Sequence, residues 1–347
     1  MVVFSKAQTG ECIMSKAKGW TEIFDGGSPE AERKIFLALA EDMLRIQEAN
    51  RQKAGASAPR RTLHAKLVAG FTDATLKIDH TLPDDFAVSW CQPGASLSAI
   101  VRFSNASGVP QQDTSPDMRG VAIRLALPEG KIHDLLMTSF PVSHARNASQ
   151  FVKFALIAMS GERETMLSRL TETFGEEEAL RMLANIRQGL RPCASLALER
   201  FWSRGAFLWG SEPVRFELRP ASNIPEVSAA LTEPDALRDE LAERLKKGDV
   251  YYRLALQRFV NETDTPIEDA AIEWKEDVSP PIEVATLIIP QQDLTGENGK
   301  LQFAEVDQLA FNPWNAPAAF RPLGNLNRAR GEVYGKSASR WLSQNQS

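Results

Sequence analysis

Cysteine and histidine are scarce in this 347-residue chain, and neither is arranged to hold a metal ion. The three cysteines, Cys12, Cys91 and Cys193, are odd in number and widely separated, which excludes a disulfide framework and paired zinc ligands. The four histidines, His64, His80, His133 and His144, include no i, i+4 pair, so a metal bound by imidazoles would have to gather its ligands from distant segments. Positive charge is also short. Lys plus Arg number 40 against 45 Asp plus Glu, a net charge of −5, and no basic block could track a phosphate backbone, so nucleic acid is not an expected partner. The longest apolar runs, such as "VATLIIP" at 284–290, fall far short of the roughly 20 residues that span a bilayer, and no transmembrane segment is expected. The opening "MVVFSKAQTGECIMSKAKGW" has no continuous apolar core, so residues 1–20 read as a loose leader and the chain as cytoplasmic. Nucleotide chemistry has no support, because "GVPQQDTSPDMRG" lacks both the P-loop lysine and dinucleotide spacing, and no serine sits in a nucleophile elbow.

What is present is a change of period along the chain. Residues 29–53, "PEAERKIFLALAEDMLRIQEANRQK", place apolar side chains at helical spacing after a Gly-Gly-Ser-Pro start, predicting an amphipathic helix. From 64 to about 140 the runs "AKLVAGFTDATLKI", "LSAIVRFSNA", "GVAIRLAL" and "IHDLLMTSF" alternate as strands between Pro, Gly and Asp punctuation. Helical periodicity returns over 149–200, and strand-like runs resume at 213–221, 249–260 and 281–290 around the charged helix "EPDALRDELAERLKKG". The end, "NLNRARGEVYGKSASRWLSQNQ", reads as a terminal helix. Nothing requires a domain boundary. The organisation expected is one α+β domain over 21–347: a helical arm 21–60, a first strand set 61–145, a helical insertion 146–211, a second strand set 212–292 and a C-terminal helical region 293–347.

Four separated motifs carry one pattern. "RTLHAK" at 61–66, "VRFSNASG" at 101–108, "DMRGVAIRL" at 117–125 and "RGEVY" at 330–334 resemble, in order and approximate spacing, motifs of the haem catalase family. "HDLLMTSFPVSHARNASQF" at 133–151 is similar to the family segment that runs from a pocket strand into a helix bearing a haem-stacking phenylalanine. The ending "FNPWNAPAAFRPLGNLNRAR" looks most like the small catalase-related haemoproteins, a group that includes hydroperoxide-metabolising enzymes. The resemblance spans about 61–345 and implies a closed antiparallel β-barrel of about eight strands with flanking helices, a catalase-like core without extra C-terminal domains. It also implies haem b between the barrel and the terminal helix.

The resemblance gives each residue a role. Tyr334 would be the iron's axial ligand, a phenolate, with Arg330 one helical turn earlier favouring ionisation of the phenol. His64 would act as base and then acid on a hydroperoxide, with Ser104 bonded to its other ring nitrogen. Arg61 and Arg102 match positions that hold haem propionates, Arg340 is a looser candidate for the same task, and Phe151 is the ring over the porphyrin. Asp117 and Arg119 are expected to shape a turn. The chain departs from the family at Thr138, where catalases carry an asparagine that orients peroxide, and at Ser143 and His144, where phenylalanines are usual. The function implied is haem-dependent cleavage of the O–O bond of hydrogen peroxide or an organic hydroperoxide, in catalase or peroxidase fashion. A fatty-acid hydroperoxide isomerase or dehydratase of allene oxide synthase type, and a non-catalytic haem- or lipid-binding barrel, stand as alternatives. The partners expected are the hydroperoxide, an unidentified electron donor and a second copy in a homodimer.

Overall fold

In the computed structural model of the chain, residues 19–57, 61–159, 163–222, 225 and 232–342 are described. The leader expected over 1–20 lies almost wholly outside them. Among the described residues there are nine strands: β1 (Leu67–Ile78), β2 (Ser96–Asn105), β3 (Arg119–Ala126), β4 (Ile132–Thr138), β5 (Phe201–Trp202), β6 (Phe207–Trp209), β7 (Glu212–Pro220), β8 (Val250–Arg258) and β9 (Ile282–Ile289). Every pairing is antiparallel, in the order β5-β4-β3-β2-β1-β9-β8-β7. β5 closes the ring. Its Trp202 lies opposite Thr138 of β4 on one side and Glu217 of β7 on the other. The result is the closed eight-stranded antiparallel barrel expected. β6 continues along the same edge of β7, with Phe207 opposite Val214, after the break at 203–206.

Alternation along each strand decides what the barrel encloses. Val101, Phe103, Ile123, Leu135, Phe201, Leu218, Tyr252 and Leu287 are buried in the main core cluster. Their rings interlock: Phe71 meets Phe103 edge-on at 6.3 Å between centroids, and Phe103 lies 6.0 Å from Tyr252. The inside is therefore a packed core, each large side chain contributing about 1.5–3 kcal/mol by leaving water. Function has to sit on the outer wall.

Helices cover that wall. α1 (Pro29–Lys53) starts where the sequence indicates, with Ser28 Oγ accepting from the Ala31 N–H at 3.1 Å and Pro29 in the first turn. Its stripe of Phe36, Leu39, Met43 and Ile46 packs against α2 (Ala148–Met159) and the terminal α7 (Asn325–Leu342) in a separate apolar cluster that includes Ala148, Val152 and Ala329. α3 (Arg163–Phe174) and α4 (Glu176–Gly189) complete the helical part of 146–211. That stretch is more than a helical insertion, since it also holds β5 and β6, strands too short to show alternation. α5 (Ala236–Leu245) and α6 (Glu297–Gln308) pack against β1, α6 also against β2.

Arg328 pins α7. Its guanidinium, with the side chain 8% exposed, bonds Glu32 of α1 through Nε and Nη2 at 2.7 and 2.8 Å, Glu268 at 2.9 and 3.0 Å, and the Ile23 carbonyl at 2.8 Å. Removing this cation leaves Glu32 buried and unpaired, a loss of about 3–5 kcal/mol. Arg328→Met is expected to lower the thermal unfolding midpoint by several degrees and to expose α7 to limited proteolysis, while Arg33→Met, whose pair with Glu332 is largely exposed, leaves both unchanged.

Candidate active site

Outward-facing residues of β2 to β5 form a ledge. Ser104, Gly120, Thr138 and Trp202 are partners in one row across four strands, and Arg102 and Ala122 are partners in the row beside it. The small residues at its centre leave room for the ring of His64, which precedes β1. An added Cβ on Gly120 would lie 2.5 Å from both Cε1 and Nδ1 of that ring and 3.0 Å from Ser104 Oγ. Gly120 is therefore the floor on which His64 rests.

His64 is held from several directions. Its backbone is left-handed, φ 56°, a conformation costing a non-glycine residue of order 1 kcal/mol. It persists because the His64 N–H donates to the Ala106 carbonyl at 2.9 Å and Arg102 Nη2 donates to the His64 carbonyl at 2.8 Å. Nδ1 lies 3.0 Å from Ser104 Oγ, and Nε2 has no hydrogen-bond partner among the described residues. Burial lowers the imidazole pKa to about 3, helped by the positive charges of Arg102, Arg204, Arg330 and Arg61. The ring is neutral at physiological pH.

Those four guanidinium groups contain the main surprise of the site. Arg61 bonds Asp307 Oδ1 at 3.2 Å and the carbonyls of Asp307 and Leu309 at 2.8 and 2.6 Å. Arg102 is buried and its Nε has no partner in this structure. Arg204, which carries no motif, also has a left-handed backbone, φ 60°, in the break between β5 and β6, and donates to the Phe140 carbonyl at 3.1 Å and to Met118 Sδ. Its pKa falls to about 10 through burial and repulsion by Arg330, partly offset by Tyr334. Arg330 stands with its guanidinium carbon 5.0 Å from the centre of the Tyr334 ring and donates to Asn327 Oδ1 at 2.9 Å.

The other expected residues are placed as follows. Thr138 sits on the ledge with its hydroxyl turned 3.5 Å from the Phe140 carbonyl. Phe151 lies between the α1–α2–α7 cluster and the His144 ring, 4.9 Å away. His144 is wedged between Phe151 and Phe154, and its Nε2 is buried without a partner. Arg340 is turned the other way: it donates to the Leu44 carbonyl at 3.0 Å and pairs with Glu48 at 3.1 Å, both on α1. Six residues carry a side chain about 240° around a helix from Tyr334, so a shared face was not to be expected. Asp117 and Arg119 do shape the loop before β3, Asp117 accepting from the Ser107 N–H and Arg119 bonding Asn105 Oδ1 and the carbonyls of Asp113 and Ser115.

This donor set suits a flat dianionic cofactor. Of the four arginines around His64, Arg61 pairs with the partly exposed Asp307 and Arg102 Nε lacks an acceptor among the described residues, while the ledge beside them is lined by Gly120 and Ala122. Carboxylates would satisfy the guanidinium forks, and a planar ring would lie against the small residues.

Fold and site thus define a class: a closed antiparallel barrel with a neutral, cation-ringed histidine on its outer wall facing a terminal helix that bears an Arg/Tyr pair. The catalase family model matches residues 30–173. A catalase-related peroxidase of Mycolicibacterium paratuberculosis is 29% identical over 254 residues, covering 70% of this chain and 78% of its own. The peroxisomal catalase of Candida tropicalis is 23% identical over 277 residues, covering 74% and 55%. Among solved structures, a fungal catalase superposes with TM-score 0.66 at 21% identity over 85% of this chain, and catalase A from Saccharomyces cerevisiae with 0.59 at 16% over 85%. The chain spans 61% and 63% of the length of those two structures. The chain is thus similar to the catalase family over residues 30–173 and, over a longer stretch, to a catalase-related peroxidase, and it shares the catalase fold.

Two outcomes follow from this geometry. Gly120→Ala should displace the His64 ring from Ser104, shifting its imidazole NMR signals and costing about 1–3 kcal/mol by overpacking. His64, His133 and His144 are each lowered to about 3, chiefly by burial. Between pH 6.5 and 3 the unfolded chain binds protons that the folded chain does not, so stability is full above pH 6.5 and drains away as pH falls, by roughly 2 kcal/mol per histidine at pH 5. Unfolding midpoints measured from pH 7 to 5 should fall accordingly, and less steeply for His144→Phe.

Proposed function

We propose that the protein is a haem enzyme that cleaves the O–O bond of hydroperoxides, with His64 as the proton shuttle and Tyr334 as the iron ligand. The observation that carries this reading is the His64–Ser104 pair on its glycine floor, since a passive carrier has no use for a strained, oriented and neutral imidazole. Bound haem, of the b type, would supply ferric iron for polarising and cleaving the peroxide bond. Arg61 and Arg102 would hold its propionates, Phe151 would lie against the ring, and Arg330 beside Tyr334 would stabilise the phenolate.

The residues then divide the proton work. His64 Nε2 takes the proton of the hydroperoxide's terminal oxygen and returns it to the departing oxygen, which leaves as ROH, while the terminal oxygen ends as water with two electrons and two protons from the donor. Ser104 Oγ fixes the tautomer by its bond to Nδ1. The encircling arginines oppose a lasting imidazolium, which favours prompt return of the proton. Thr138 brings one hydroxyl, already directed at the Phe140 carbonyl, where an amide would present two groups to the peroxide. Dismutation of hydrogen peroxide is thereby weakened relative to reduction of a bulkier organic hydroperoxide, and His144 makes the pocket wall more polar.

The purified protein should show a ferric haem spectrum that changes in Tyr334→Phe. Turnover of cumene hydroperoxide should exceed that of hydrogen peroxide, and His64→Ala should lose about 10²–10⁴-fold of it. Thr138→Asn should raise oxygen release from hydrogen peroxide. A colourless protein, or full activity in His64→Ala, refutes the assignment. Product analysis with a fatty-acid hydroperoxide separates reduction, which yields the alcohol, from rearrangement.

A further inference from the structure

Trp314 stands at the surface, 39% exposed, in the Pro-rich segment that leads into α7. Its indole N–H donates to the Asn327 carbonyl at 2.8 Å, and its ring rests against Gly331, where an added Cβ would meet Nε1 at 2.9 Å and Cε2 at 3.1 Å. Asn327 is buried. Its amide donates to the Ala206 carbonyl at 2.8 Å and its Oδ1 accepts from Arg330 Nη1 at 2.9 Å. Arg330 in turn stands over the Tyr334 ring. Trp314, Asn327, Arg330 and Tyr334 form an unbroken run of contacts from solvent to the helix face that addresses the ledge. The chain's other tyrosines are elsewhere: Tyr252 is in the barrel core, and Tyr251 is exposed on β8, bonded to Asp249.

We propose that Trp314 is the surface contact through which a one-electron donor too bulky for the pocket, a phenol or an aromatic amine, delivers electrons to the site. This rests on the hydroperoxide-cleaving function proposed above. Reducing ROOH to ROH and water takes up two electrons and two protons. Two donor molecules DH each lose one electron and one proton and leave as radicals, so that ROOH and 2 DH give ROH, H2O and two D radicals. At each passage the Trp314 indole gives one electron inward along the Asn327–Arg330 contacts and regains one from a donor stacked on its exposed face. Its Nε1 proton stays in the hydrogen bond to Asn327, the donor's proton goes to solvent, and Trp314 ends unchanged. An indole serves both ends of this task, being an oxidisable ring and a stacking surface for another aromatic.

The test uses the haem-loaded protein and cumene hydroperoxide. Without a donor, one equivalent of hydroperoxide should leave added oxygen on the Trp314 peptide, seen by mass spectrometry, and a donor dye such as ABTS should suppress it. Trp314→Phe should oxidise ABTS at least tenfold more slowly yet still form one cumyl alcohol per site in a single turnover, and Trp314→Tyr, which keeps an oxidisable ring, should recover much of the dye oxidation. An unmarked Trp314 together with a wild-type ABTS rate in Trp314→Phe, while cumyl alcohol still forms, overturns the electron route alone. If the wild-type protein forms no cumyl alcohol, the hydroperoxide reading fails and the route falls with it.

Discussion

The guanidinium of Arg328 joins three parts of the chain that are far apart in sequence: α1 through Glu32, the loop before β9 through Glu268, and α7 itself. Arg330 and Tyr334 follow within two turns on the same helix, so their position relative to the barrel is set by this contact. A hydrophobic seam alone would let α7 slide. Phe36, Leu39, Met43 and Ala329 give the helices adhesion, whereas a planar fork matched to the buried Glu32 and the partly buried Glu268 admits one register. The Tyr334 side chain is just over 300 residues from the start of α1, yet its place depends on that helix.

The barrel contributes rigidity by being full. Phe71, Phe103, Phe201 and Tyr252 occupy its inside, which leaves the outward residues of β2 to β5 fixed in rows by the strand ladder. Ser104, Gly120 and Thr138 therefore meet across three strands with no freedom to drift. A site built on such a wall keeps its geometry more faithfully than one on loops. The loop residues that do enter, His64 and Arg204, are both held in left-handed backbone conformations by hydrogen bonds to neighbouring segments.

This division explains what could be read from the amino-acid order. α1 begins and ends as expected, because Ser28, Pro29 and the apolar stripe act locally. β2, β3, β7 and β9 follow alternation or continuous apolar runs. His64 and Ser104 could be paired through their motifs, and the structure brings them together. β5 was not legible, since two residues carry no period, although they close the ring. Arg204 left no signal either: its place comes from a turn between short strands and from the Phe140 carbonyl, neither of which has a local pattern. Arg340 shows the converse: it follows Tyr334 closely in the sequence, yet its guanidinium bonds α1. Asp307, the carboxylate on Arg61, comes from α6, 246 residues away, and no local rule could supply it.

The charge around His64 shows how far the site depends on its ligand. Burial disfavours the imidazolium, and four guanidinium groups add to that, so the ring is held neutral near physiological pH. The second cause is removable. On the function proposed above, carboxylates paired with Arg61 and Arg102 would offset two of those positive charges. Burial, the larger cause, would remain. Arginines suited to an anionic cofactor thus also reinforce burial in keeping the His64 ring neutral.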